Sequence, residues 1–268
     1  MGRSIRFYEV HLGFSLLATR DGEAWLGIRG TAEPAAILAL SESPSAPHVS
    51  GTTGLYHFAI LVPTRAHLAR ALRRLVDTRT RLQGAADHGV SEAIYLADPD
   101  GNGIEIYRDR PRADWPEVDG RLHMGVDPLD LDALLDEVDD RASSDLDAGT
   151  VVGHVHLHVA HLAPAKQFYV DVLGFELMQR YGPSALFVSA GGYHHHIGLN
   201  TWAGVGASPP PAGAIGLRYF TVKLPDRAAL DQVGDRLRQA RIPVEAIGEA
   251  ILTKDPSSNA ILFAAETG

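Results

Sequence analysis

The sequence predicts an α+β fold built from four copies of one βαβββ unit. Two internal matches carry this prediction. Ser4–Leu17 (SIRFYEVHLGFSLL) matches Ala165–Met178 (AKQFYVDVLGFELM), each with FY, then LGF, then an apolar strand start. Leu55–Leu72 (LYHFAILVPTRAHLARAL) resembles Arg218–Leu237 (RYFTVKLPDRAALDQVGDRL). A turn and strand follow each of the latter pair, DPDGNGIEIY at Asp98–Tyr107 and DPSSNAILF at Asp255–Phe263. A two-unit block repeated twice accounts for all three matches. Strands within a unit are mostly antiparallel, with helices on one face. The sheets are expected to be mixed, antiparallel-rich and curled around a cavity.

The first copy begins inside its helix, at about Ser4–His11, with no strand before it. Either the start codon is misplaced or the strand is truly absent; a true absence would leave a sheet edge that a second chain can exploit, so a homodimer is one expected partner. In the second copy the first strand is His57–Val62. Thr64 then caps a helix over Ala66–Val76, where Leu68, Leu72, Leu75 and Val76 fall at helical spacing. Ala93–Leu96 and Ile104–Tyr107 read as its later strands. In the third copy the first strand is Gly153–Val159. Pro164 suits the first turn of the next helix, and Gly174 suits its stop. In the fourth, Asp226 caps a helix running towards Ala240.

The predicted domains are residues 1–110, a pair of units, and 151–268, a second pair. Between them, 111–150 is an acidic, proline-containing linker. Its segment DPLDLDALLDEVDD makes a short helix with Leu131, Leu134, Leu135 and Val138 inward. Ser208–Gly213 (SPPPAG) is a second stiff loop.

Composition excludes several classes of function. The formal charge of -9 over 268 residues argues against nucleic-acid and anionic-membrane partners. No apolar run is long enough to span a bilayer, and the first residues lack a signal-peptide core. Cysteine is absent, which removes disulfides, thiolate metal sites and cysteine nucleophiles together. That fits a reducing cytoplasm. A metal must use imidazole, carboxylate, phenolate or water.

The stretch GHVHLHV at Gly153–Val159 carries the chemistry. Side chains alternate across a strand, so His154, His156 and His158 share one face. Three imidazoles in a row make little sense against an apolar core. Glu105 sits between Ile104 and Ile106, and an ionised carboxylate on an inward face needs a charge partner or a metal. A second histidine cluster is Tyr193–His196 (YHHH). Strand alternation would put His194 and His196 on one face and His195 on the other. Asp98–Asp109 matches only the opening of a calcium loop; it lacks the closing glutamate and the flanking helices, so it reads as a β-turn feeding a strand.

The βαβββ units, the FYxxxLGF helix ends and the DPDGNGIEIY turn resemble the vicinal oxygen chelate superfamily. That group takes in glyoxalase I, bleomycin-resistance proteins and type I extradiol dioxygenases. With GLYHFAILVP, DPLDLDALL, GHVHLHVA and GGYHHHIGLNTW, the layout is most similar to tandem catechol-2,3-dioxygenase-like proteins. The resemblance implies a divalent metal, iron(II) first and manganese(II) as a substitute, held by first-strand and last-strand residues of the units. Carried over, the first-strand positions are His57, His154 and Tyr219, and the last-strand positions are Glu105 and Leu262. Leucine cannot bind a metal, so the surviving set is His57, Glu105 and His154. These meet only if copies two and three share a sheet. The resemblance also implies an acid–base histidine in the YHHH region, His195 or His196. His156, His158, His194 and Tyr219 are then expected to line the cavity. The implied reaction is ring cleavage of a catechol-like diol by dioxygen. Its rivals are a non-catalytic small-molecule binder and a glyoxalase-like isomerase or lyase.

Overall fold

The computed structural model describes residues 1–29, 36–138 and 146–266. Part of the predicted linker, at 139–145, lies outside the described residues. No helix among the described residues is long and apolar enough to cross a membrane.

All four copies are present. Copy one has helix α1 (Gly2–Phe7), which runs on into a π-helical turn at Tyr8–Leu12, then strands β1 (Ser15–Arg20), β2 (Glu23–Gly27) and β3 (Ala36–Ser41). Copy two is β4 (Gly54–Leu61), α2 (Arg65–Asp77), β5 (Leu82–Asp87), β6 (Ser91–Ala97) and β7 (Gly103–Asp109). Between copies two and three lie β8 (Glu117–Val118), β9 (Arg121–Leu122), β10 (Asp127–Pro128) and α3 (Leu131–Leu135). Copy three is β11 (Val151–His158), α4 (Leu162–Lys166) with a second π-helical turn at Gln167–Val172, β12 (Glu176–Tyr181), β13 (Ala185–Ser189) and β14 (Ile197–Asn200). Copy four is β15 (Phe220–Leu224), α5 (Arg227–Gln239), β16 (Glu245–Ile247), β17 (Ala250–Lys254) and β18 (Ala260–Ala265).

The copies share one topology. In each complete copy the first strand pairs parallel with the last: β4 with β7, β11 with β14, β15 with β18. The last strand is antiparallel to the one before it. The helix between first and second strand covers one face. Thr64 and Asp226 cap α2 and α5 by accepting from the N–H groups of His67 and Ala229. Leu68, Ala69, Leu72 and Leu75 form the buried stripe of α2, and Leu230, Val233, Gly234 and Leu237 that of α5.

The chain divides into two compact units. Unit 1 comprises residues 1–46 and 57–154; unit 2 comprises 47–56 and 155–268. Within unit 1 the strand order is β10–β5–β6–β7–β4, and β11 follows β4 with its first four residues, Val151–His154. Within unit 2, β11–β14–β13–β12 is one order and β15–β18–β17–β16 another.

The repeated FY and DP motifs meet inside each unit. Tyr8 Oη donates to Asp98 Oδ2 at 2.9 Å in unit 1, and Tyr169 Oη donates to Asp255 Oδ2 at 3.1 Å in unit 2. Each aspartate also accepts from the backbone and side-chain N–H groups of the asparagine four residues on, Asn102 or Asn259. The LGF glycines follow the same logic. Gly13 and Gly174 have φ of 82° and 89°, and a Cβ on either would strike the guanidinium of Arg74 or Arg236.

Candidate metal centre

The centre is built from three strands of unit 1. On β4 and β7, Ala59 pairs with Glu105 and His57 with Gly103. Small residues therefore stand beside each large polar one and leave it room. Alternation turns Ile104 and Ile106 to the helix side and Glu105 to the other face. β11 brings His154 to the same face. All three side chains are buried.

They converge on a single oxygen. His57 Nε2 lies 3.0 Å and His154 Nε2 3.1 Å from Glu105 Oε2. One ligand atom from each falls within 4.8 Å of the others. Burial alone would raise the Glu105 pKa. The facing imidazoles, His154 before His57, outweigh it and hold the carboxyl well below its usual range. A buried anion with two imidazole nitrogens at one point is a two-histidine, one-carboxylate donor set. It fits a first-row divalent cation with coordination positions left open.

Gly153 makes the approach possible. A Cβ there would overlap the Tyr107 hydroxyl and lie 3.0 Å from Leu61 Cβ. Tyr107, fully buried on β7, sets its ring 4.8 Å from that of His154. Tyr95 on β6 is directly opposite Glu105 in the antiparallel ladder, with its ring 5.6 Å from that of His57. Its hydroxyl is held by His88 Nε2 at 2.7 Å, and His88 Nδ1 faces the Gly125 carbonyl at 2.7 Å. A carbonyl only accepts, so Nδ1 carries the proton and, in the neutral ring, Tyr95 donates to Nε2. Tyr95, His88 and Tyr107 went unnoticed in the sequence. Tyr95 stands ten residues before Glu105, and only the β6–β7 register brings them together.

The other histidines belong to unit 2. His156 and His158 continue the inward face of β11; Tyr56 packs edge-on against His156 and tilted against His158, and Trp202 lies 5.3 Å from His156. His158 Nδ1 meets Asn200 Oδ1 at 2.7 Å, and that oxygen also accepts from the backbone N–H of Trp202. Tyr219 precedes β15 and is 44% exposed. The histidine triplet does not lie in a strand, as alternation had assumed. His194, His195 and His196 occupy the loop before β14, which begins at Ile197. The glycines at 191 and 192, both at positive φ, turn the chain there. His194 and His195 are both buried and face each other Nδ1 to Nδ1 at 2.8 Å. His196 Nδ1 accepts from the Ala190 N–H and meets Ser189 Oγ at 2.9 Å.

Copy three lacks the carboxylate that copy two has. The residue matching Ala59 is His156, which pairs with Gly198 where Ala59 pairs with Glu105. A Cβ on Gly198 would meet the His156 ring at 2.7 Å. Phe187 stands opposite Gly198, as Tyr95 stands opposite Glu105. In copy four, Leu262 faces Thr221 at the matching position.

Four βαβββ copies in tandem, with one two-histidine, one-carboxylate cluster among the described residues, define a metal-binding protein class of duplicated βαβββ folds. Residues 1–106 and 151–260 match the family model of the Glyoxalase/Bleomycin resistance protein/Dioxygenase superfamily, and the chain belongs to that family. Over 265 residues it is 48% identical to catechol-2,3-dioxygenase of Bacillus subtilis (strain 168), with 97% of this chain and 91% of that protein covered. Among solved structures it is similar to a candidate dioxygenase of Bacillus subtilis subsp. subtilis str. 168, at TM-score 0.67 and 15% identity, covering 99% of this chain and 81% of the other. It also resembles glyoxalase I of Zea mays, at TM-score 0.55 and 16% identity, covering 98% and 87%. The two structural likenesses concern the fold.

Proposed function

We propose that the chain is a metal-dependent extradiol ring-cleaving dioxygenase acting on a catechol-like aromatic diol. The convergence of His57, Glu105 and His154 carries this reading. The 48% identical catechol-2,3-dioxygenase supports it across nearly the whole chain.

His57, Glu105 and His154 would hold a divalent metal, iron(II) in this reading with manganese(II) as substitute. Such an ion would supply Lewis acidity, easing deprotonation of the diol. The chain's own groups do the rest. Glu105 stays ionised without an added base, because the imidazoles hold its proton affinity down. Tyr95, its hydroxyl fixed through His88, keeps its ring beside that of His57. Proton transfer is assigned to His195 or His196. The Nδ1–Nδ1 contact with His194 supports His195, since one ring must donate and the other accept. His196 Nδ1 accepts a backbone N–H, which leaves the proton of the neutral ring on Nε2. His156 and His158 are assigned to the cavity wall, with His194 and Tyr219. The reading takes the aromatic diol and dioxygen as partners, a homodimer as assembly and the cytoplasm as location.

The test joins metal analysis to turnover. Protein loaded anaerobically with iron(II) and then given catechol and air should take up oxygen as catechol disappears. His154→Ala and Glu105→Gln should lose bound metal and activity together. A fully loaded protein that leaves catechols intact overturns the proposal.

A further inference from the structure

The connection between the last two strands differs from copy to copy. In copies two and four it is an aspartate turn, at 98–102 and 255–259. Asp98 Oδ1 accepts from the backbone N–H groups of Asp100 and Asn102, and Asp255 Oδ1 from those of Ser257 and Asn259. Copy three has no such aspartate. Its connection, 190–196, is longer and carries Tyr193, His194, His195 and His196.

The repeat separates closing this turn from what has been added to it. His196 does the closing, since its Nδ1 accepts from the Ala190 N–H at 3.2 Å across the loop. The aspartate turns close without a pair of imidazoles, so the fold does not call for His194 and His195. On a strand, adjacent side chains would point to opposite faces. Here Gly191 and Gly192, at φ of 64° and 66°, turn the chain, and the two rings meet Nδ1 to Nδ1 at 2.8 Å. Tyr193 lies along His194, with ring centres 4.0 Å apart and 33° between the planes. Phe187 stands against His195 at 4.9 Å and 68°.

Such a contact holds one proton: one Nδ1 donates and the other accepts. Either way His195 Nδ1 is taken up by His194, and its chemistry is left to Nε2. Charge decides the direction. An imidazolium has N–H on both nitrogens, so the ring that becomes charged must be the Nδ1 donor. A positive charge is better placed on His195, which is 9% exposed, than on His194, which is 0% exposed. His195 is then the donor and His194 the acceptor. Loss of the Nε2 proton from charged His195 leaves the Nδ1 bond as it was.

We propose that His194 is a positioning residue for His195. Its Nδ1 accepts the His195 Nδ1 proton, which fixes the ring and makes Nε2 the nitrogen that gains and loses a proton. The reaction assigned to that nitrogen rests on the dioxygenase reading. There Nε2 takes a proton from a diol hydroxyl: the O–H bond breaks, its electron pair stays on oxygen, and the N–H bond forms with the charge on His195. The same argument selects His195 over His196. Neutral His196 accepts at Nδ1 and carries its proton on Nε2, so it has no bare nitrogen to offer.

Nitrogen-15 NMR of the full-length protein labelled at histidine tests the pair without metal or substrate. His195 is identified by the signals lost in His195→Gln. In alkaline buffer its Nδ1 should be protonated and its Nε2 bare. His194→Leu should release the ring, so that Nε2 takes up the proton. Asparagine can place an oxygen where Nδ1 stands, so His194→Asn should keep the wild-type state. In iron(II)-loaded protein, His194→Leu should lower kcat about tenfold or more, with KM and bound metal within about twofold of wild type. His194→Asn should recover most of that loss. A bare Nδ1 on His195 in the wild type, or a folded His194→Leu protein with unchanged His195 signals, overturns the proposal. The expected protonation in a protein that cleaves no catechol supports the pair and overturns the dioxygenase reading alone.

Discussion

Gly153 shows how narrowly the centre is specified at the scale of single residues. Its missing side chain is where the Tyr107 hydroxyl sits, one residue before a proposed ligand. Gly153→Ala is expected to cost about 1–3 kcal/mol of stability by overpacking, and to weaken metal binding as His154 is displaced. Adding Tyr107→Phe removes the closest clash and should recover part of both losses, read by thermal unfolding and metal analysis. Tyr95→Phe should leave bound metal unchanged, because Tyr95 is not among the three proposed ligands, and should lower turnover. The three residues that converge in unit 1 were singled out in the sequence by the family resemblance, with Glu105 also marked by its place between two isoleucines. Tyr95 and His88 were not. Their place depends on how β6 registers against β7, and a long-range pairing leaves no mark in local spacing.

At the scale of elements, the helices with strong caps declared themselves: Thr64 and Asp226 both accept at the predicted starts. The π-helical turns at Tyr8–Leu12 and Gln167–Val172 did not, since apolar spacing cannot distinguish a short widened turn from an α-helical one. The β8–β9 hairpin was also missed, although Asp119 and Gly120, both at positive φ, form the Asp-Gly turn such hairpins favour. Each π-helical turn carries the tyrosine that donates to the aspartate of the DP turn, and Asp255 makes that link testable. Burial raises its pKa, against the hydrogen bonds from Asn259, Ser257 and Tyr169 that lower it. The folded state thus binds this proton more readily than the unfolded chain. The stability contributed by the group is full below the ordinary carboxyl range and falls as pH rises through the raised folded value. Tyr169 favours the charged form, so Tyr169→Phe should cost about 1–3 kcal/mol at neutral pH. The cost should shrink in acid, where Asp255 is already protonated. A cost independent of pH in denaturant melts would show that Tyr169 acts through packing alone.

For the whole molecule, the duplication was the most legible feature, because four copies of one pattern average out local ambiguity. What the copies do individually was less legible. Metal bound to the folded chain should raise the melting temperature, and a strong chelator should reverse the rise. His57→Ala should abolish this response, while Tyr219→Phe should leave it intact. Gly198 has a consequence for the accounting of that metal. Copy three retains the first-strand histidine but gave up its acidic partner, and the His156 ring now lies where a side chain at 198 would be. Among the described residues, the second pair of copies therefore adds no second two-histidine, one-carboxylate cluster. Titration of the pure protein should saturate at one equivalent per polypeptide, and a second equivalent would mean that the two copies had diverged less than Gly198 indicates.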